Sequence, residues 1–163
     1  MDKLEPLAAE LGASLKARGL MLALAESCTG GLASAVITEI SGSSAWFDRG
    51  FVTYSNAAKM EMLGVAAETL EKFGAVSEET AREMVLGALK NSHAQIAASI
   101  TGIAGPSGGT PEKPIGTVCF GFALKNQVFS QSQHFTGNRD SIRKQSVEYA
   151  LKQLVALSLN GEL

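Results

Sequence analysis

The chain has 163 residues, with 14 Lys and Arg against 16 Asp and Glu and a formal net charge of −2. That length fits one domain over residues 1–163, able to bury about 70% of its unfolded surface without disulfides or metals. The slight acidity counts against a nucleic-acid binder, a hydrophobic content of 45% counts against disorder, and no apolar run approaches the ~20 residues of a membrane span.

The first residues, Met1-Asp2-Lys3-Leu4-Glu5-Pro6, carry acids where a signal peptide carries bases, so a cytoplasmic location is expected. The two cysteines, Cys28 and Cys119, make no disulfide scaffold and are expected to stay reduced. His93 and His134 stand alone, and no Cys/His cluster has zinc-ligand spacing. Magnesium held by carboxylates stays open.

Leu4, Leu7, Ala8, Leu11 and Leu15 recur at helical spacing, and Gly19 follows as a stop signal. Leu20 to Ala25 then reads as a buried strand, broken at Thr29-Gly30-Gly31. A helix is predicted over Leu32 to Ile40, a loop over Ser41 to Ser44, a second strand over Trp46 to Tyr54, and helix-rich chain from Ala57 to Phe73. Ser77 is placed to cap a helix that has Glu78 and Glu79 in its first turn and runs to Asn91. Ile96 to Ile100 is a third, buried strand, followed by a glycine-rich loop. Ile115 to Leu124 and Gln127 to Phe135 form a hairpin turning at Lys125-Asn126. A last helix covers Arg139 to Leu159. Alternating helices and strands followed by a hairpin indicate an α/β fold with a mixed sheet. In such sheets ligands sit at the carboxyl ends of the strands.

Four segments hold candidate chemistry. Gly30-Gly31 and the run Gly102, Gly105, Gly108, Gly109 both follow buried strands, where glycine lets backbone N–H groups approach a ligand. Simple turn chemistry would also use them, and neither cluster is a phosphate-loop motif. In Ala25-Glu26-Ser27-Cys28-Thr29-Gly30-Gly31 a buried strand turns into a helix. Ser27 or Thr29 there is either an N-cap or a nucleophile beside N–H groups that stabilise an oxyanion. Cys28 is the alternative nucleophile. In Tyr54-Ser55-Asn56-Ala57-Ala58-Lys59 a lysine stands where a serine's base is needed. Its proton must then leave near neutral pH, well below the usual ~10.4, which burial or a neighbouring cation supplies. Otherwise Lys59 is a solvated helix lysine. Arg139 and Arg143 share one face of the last helix and either clamp a phosphate or pair with Asp140 and other surface acids.

Taken together, AESCTGGLASAVITEISGSSAWFDRGFVTYSNAAK, GAVSEETAREM, SITGIAGPSGGTPEKPIGTV and FTGNRDSIRKQ resemble the CinA C-terminal domain family, over about Leu4 to Leu157. Its members include stand-alone nicotinamide-nucleotide amidohydrolases, whose single-domain form this chain resembles. The resemblance implies a three-layer α/β/α sandwich and hydrolysis of the carboxamide of nicotinamide mononucleotide to nicotinic acid mononucleotide and ammonia. It implies Ser27 as nucleophile, Lys59 as base and Tyr54 relaying or positioning the proton. Backbone N–H groups near Thr29, Gly30 and Gly31 would form the oxyanion hole. Thr101, Gly102, Ala104 and Gly105 would line the nucleotide, with Arg139 or Arg143 on its phosphate. No metal and no cofactor are expected. The partners expected are a small pyridine nucleotide and a second copy of the chain, a dimer before other homo-oligomers, with no nucleic acid and no membrane. Two other functions compete: a non-catalytic nucleotide-binding module, and an accessory to competence or DNA damage.

Overall fold

The computed structural model describes residues 3–163. Helix α1 covers Glu5–Arg18, with Pro6 in its first turn and Gly19 at φ 65° closing its last carbonyls. That conformation costs glycine nothing, which is why the helix stops there. Strand β1 is Leu22–Glu26, two residues later than the apolar run predicts. Leu20 N–H is spent on Leu15 O, and Met21 exchanges bonds with Gln95 and Ile96, so both belong to the turn. Helix α2 is Leu32–Thr38, β2 is Phe47–Val52, α3 is Asn56–Leu63 and α4 is Ala67–Phe73. Gly64, at φ 70°, separates the last two. Helix α5 is Glu78–Lys90, and Ser77 Oγ accepts from Thr80 N–H as its cap. Strand β3 is Ile96–Gly102, β4 is Thr117–Leu124, β5 is Gln127–His134 and α6 is Arg139–Asn160. The hairpin turns at Lys125-Asn126, with Lys125 at φ 56°.

The sheet order is β2-β1-β3-β4-β5. Strand β1 is parallel to both neighbours, β2 and β3, and the β3-β4-β5 part is antiparallel. The sheet is therefore mixed, as expected. Alternate residues point to opposite faces. Leu22, Leu24, Ile96, Ile100, Phe120 and Phe122 face α1, α2 and α6. Ala23, Ala25, Ala97 and Ala123 face α3 and α5.

The small residues let α5 lie very close to the sheet. Ser99 Oγ donates to Ala81 O at 2.7 Å and accepts from Gly121 N–H at 3.0 Å. A Cβ on Gly121 would collide with that same carbonyl, and one on Gly87 would collide with Leu63 O. These close contacts seat α3 firmly on α5, and α3 carries Lys59.

Candidate active site

The carboxyl ends of β1, β2 and β3 meet at a cavity of about 250 Å³, lined by Ser27, Cys28, Tyr54, Lys59, Thr101 and Arg139 among others. Ser27 is the residue after β1, and its N–H donates to Ile100 O at 2.9 Å. Lys59 arrives from α3. Ser55 Oγ caps that helix by accepting from Ala58 N–H at 3.0 Å. Helical side chains lean toward the N-terminus, so Lys59, one turn in, folds back over the incoming chain. Its Nζ donates to Ser27 Oγ at 3.0 Å, Thr53 O at 2.9 Å and Tyr54 O at 3.3 Å.

Lys59 is 1% exposed and, among the described residues, forms no salt bridge. Burial holds its pKa below the ordinary 10.5, because desolvation penalises the ammonium. Of the two sources considered for that shift, burial is the one at work. The neutral amine fits the site well. With the proton lost, the two carbonyls would take the two remaining N–H groups and the lone pair would face the Ser27 hydroxyl, reversing the direction of the 3.0 Å bond. Chemically, such an arrangement can pair a serine with a general base.

Cys28 also reaches the cavity, but burial pushes its thiol up to about 12. A thiol held protonated is a poor nucleophile, which counts against it as the alternative to Ser27. Neither His93 nor His134 lines the cavity, and His134 Nε2 bonds to Ile115 O at 3.0 Å.

The turn after Ser27 is organised by a residue to which sequence reasoning assigned no role. Glu26 is fully buried, and its carboxylate accepts from Thr29 Oγ1 (2.7 Å), Gly31 N–H (3.2 Å), Ala33 N–H (2.9 Å), Ser34 N–H (2.9 Å) and Ser34 Oγ (2.7 Å). The cap of α2 is thus a carboxylate at the end of β1, and neither Ser27 nor Thr29 serves as N-cap. A glutamate ending an apolar strand just before a glycine pair was the available signal, since a buried acid must find donors. Glu26→Gln is expected to destabilise the fold by about 2 kcal/mol in urea denaturation. The amide places an N–H₂ group against donors and leaves buried groups unpaired.

Gly30 and Gly31, at φ 56° and 103°, let the chain reverse between β1 and α2. Their N–H groups are not free for an oxyanion. Gly30 N–H donates to Ser27 O at 3.0 Å and Gly31 N–H to Glu26. Among the described residues the unpaired N–H groups of the turn are those of Cys28 and Thr29, and of these two residues Cys28 lines the cavity while Thr29 is fully buried outside it, which corrects the expectation placed on Thr29 and the two glycines.

The other expected residues divide. Thr101, Gly102 and Ala104 line the cavity, as do Asn56, Ala75 and Val76, which carried no expected role. Ala75 and Val76 lie in the segment ahead of α5, tied in by Thr101 Oγ1 donating to Ala75 O at 2.9 Å. Gly105 lies behind the wall, and its carbonyl accepts from Arg139 Nη1 at 2.8 Å. Tyr54 is at the rim, 61% exposed, and its hydroxyl accepts from Arg139 Nη2 at 3.1 Å. Its link to Lys59 is the main-chain carbonyl; the phenol bonds to neither Ser27 nor Lys59 among the described residues.

The two arginines do not act together. Arg139 lines the cavity, whereas Arg143 Nε and Nη2 donate to Cys28 O (3.1 Å) and Thr29 O (2.8 Å). Asp140 pairs with Lys144 at 2.9 Å, and among the described residues neither arginine forms the surface pairing with an acid that was weighed for it. Among the described residues no three His, Cys, Asp or Glu side chains converge, and no helix is long and apolar enough to cross a membrane.

Residues 4–158 match the family model of the CinA C-terminal domain. The chain is 56% identical over 151 residues to the nicotinamide-nucleotide amidohydrolase PncC of Enterobacter agglomerans, covering 92% of each chain. It is 54% identical over 154 residues to the protein of the same name from Escherichia coli strain K12, covering 94% of this chain and 93% of that one. The crystal structure of the competence/damage inducible protein CihA from Agrobacterium tumefaciens superposes with a TM-score of 0.92 at 49% identity, over 94% of each chain.

Proposed function

Because the chain belongs to the CinA C-terminal domain family, we propose that it is a nicotinamide-nucleotide amidohydrolase. It hydrolyses the carboxamide of nicotinamide mononucleotide to nicotinic acid mononucleotide and ammonia. The observation that carries the mechanism is the 3.0 Å contact between Ser27 Oγ and the amine of a buried, uncompensated Lys59. The relatives named nicotinamide-nucleotide amidohydrolase support the substrate.

Ser27 Oγ attacks the amide carbon while Lys59 Nζ takes its proton. The N–H of Cys28, a residue that lines the cavity, receives the oxyanion, a type of contact worth about 3 kcal/mol per donor elsewhere. Lys59 then returns the proton to the leaving nitrogen, ammonia departs, and an ester of Ser27 remains. Water attacks that ester with the same amine as base, releasing the acid and restoring the serine. Arg139 at the rim supplies a cation for the phosphate. Tyr54 carries no proton in this scheme; its carbonyl holds Lys59 and its phenol holds Arg139. The product re-enters pyridine nucleotide synthesis as the free acid.

Ammonia release from nicotinamide mononucleotide, with and without EDTA, tests the assignment. Release unaffected by EDTA is expected. No release would overturn the substrate, and release abolished by EDTA would overturn the metal-free mechanism.

A further inference from the structure

Strand β3 runs on past the end of its neighbour β1, and the main chain of Gly102 is left over. Main-chain groups of successive strand residues turn to opposite edges. Ile103 turns to β4: its N–H donates to Thr117 O at 2.9 Å, and its carbonyl accepts from Gly116 N–H at 2.8 Å. Ile100 turns to β1, where its carbonyl accepts from Ser27 N–H at 2.9 Å. Gly102 lies opposite Val118 of β4, one residue before Ile103 and two after Ile100, so its N–H and C=O both turn to the β1 side.

There the ladder has stopped. Strand β1 ends at Glu26. Ser27 O, the acceptor that a longer ladder would give to Gly102 N–H, is bonded to Gly30 N–H at 3.0 Å instead. Among the described residues neither main-chain group of Gly102 has a partner. The two arginines of α6 are committed elsewhere, Arg139 to Gly105 O and the Tyr54 hydroxyl, Arg143 to Cys28 O and Thr29 O. What Gly102 lines is the cavity, together with Ser27, Cys28 and Lys59. A glycine puts no side chain over its own edge, and a Cβ here would crowd Val118 Cγ2 at 2.7 Å and Thr117 O at 3.0 Å.

In an extended residue the N–H and C=O of one edge stand side by side, a donor next to an acceptor. A primary carboxamide has the complementary edge: its oxygen accepts, and the N–H on the oxygen's side donates. A carboxylate, an ester or a ketone lacks that N–H. We propose that the main chain of Gly102 recognises the carboxamide, its N–H donating to the substrate's carbonyl oxygen and its C=O accepting from the amide nitrogen. This rests on the nicotinamide-nucleotide reading above. The oxygen then has donors from two neighbouring strand ends, Cys28 N–H and Gly102 N–H, and the nitrogen is held by Gly102 O until it leaves. Hydrolysis puts a carboxylate oxygen against that carbonyl with no proton between them, so a contact that holds the substrate is lost in the product.

The test uses Ser27→Ala, which leaves ligands intact, with its glycines isotope-labelled at the nitrogen and the carbonyl carbon. The ligands are nicotinamide mononucleotide and acetylpyridine mononucleotide, a ketone in which a methyl group takes the place of the amide nitrogen. By calorimetry the amide is expected to bind at least about 10-fold more tightly, since the ketone leaves the Gly102 carbonyl unpaired. In NMR spectra the Gly102 amide proton should move downfield with both ligands, and the Gly102 carbonyl carbon with the amide alone.

Equal affinities would overturn the proposal, and so would a Gly102 carbonyl signal that stays in place when the amide binds; ammonia release by wild type would stand in either case. If wild type releases no ammonia from nicotinamide mononucleotide, the same spectra are taken with nicotinamide and acetylpyridine, which carry no nucleotide. A Gly102 carbonyl shift with nicotinamide alone would keep the carboxamide recognition and overturn the nucleotide substrate. No shift with either would overturn both.

Discussion

Ser27→Ala is expected to lower ammonia release from nicotinamide mononucleotide by at least 10⁴-fold while leaving the fold nearly intact. Removing the nucleophile from a unit of this kind costs about 10⁶ in kcat elsewhere, with a residue of rate from binding and the oxyanion donors alone. The fold survives because the Ser27 backbone does the structural work. Its N–H stays on Ile100 O, and its carbonyl still holds Gly30 N–H. Only the Oγ contact is lost, and Lys59 keeps Thr53 O and Tyr54 O as acceptors. The stability change should stay within about 1 kcal/mol, the net worth of one hydrogen bond. Ammonia kinetics and urea denaturation on the same preparation check both halves. Full activity in this variant would move the nucleophile elsewhere, and Cys28 would be a poor successor with its thiol held at about 12.

Lys59→Met should be nearly as damaging, by about 10⁴-fold or more, since the serine loses its base in both half-reactions. Lys59→Arg should not rescue it, because a guanidinium stays protonated at all working pH values. The pH behaviour is a sharper check. Burial lowers the Lys59 pKa, and the neutral amine is the active form. Wild-type kcat/KM should therefore rise with pH through that lowered value and level off above it.

Stability carries the same signature. Between the lowered folded pKa and the ordinary 10.5, the unfolded chain keeps a proton on Lys59 that the folded protein has released. Unfolding then takes up protons, so stability rises with pH across that window. Lys59→Met has no such group, so wild type should gain stability relative to it as pH rises toward 10.5. Below the folded pKa both states are protonated and the difference should be flat. Urea denaturation at stepped pH gives the slope, and a falling difference would mean that Lys59 is stabilised as the ammonium.

The sequence alone carried the element order, the mixed sheet, the hairpin at Lys125-Asn126 and the last helix from Arg139. Hydrophobic period and turn chemistry are local, and the mixed sheet follows from the alternating element order and the tight hairpin. It also placed Ser27 at the end of a buried strand, where α/β sheets keep their ligands, and its motifs pointed to the family that the comparisons then showed. What local patterns could not supply was the pairing of distant groups. Ser27 and Lys59 are 32 positions apart, and their contact depends on how α3 is seated by Gly87 and capped by Ser55. Spacing put Arg139 and Arg143 on one helix face and so suggested one role. The tertiary structure gives them two, because the face is wide enough for one guanidinium to reach the cavity while the other reaches the carbonyls behind Ser27. In the sequence Glu26 simply follows the apolar run Leu20 to Ala25. Its role emerged only once the fold gathered five donors around a fully buried carboxylate.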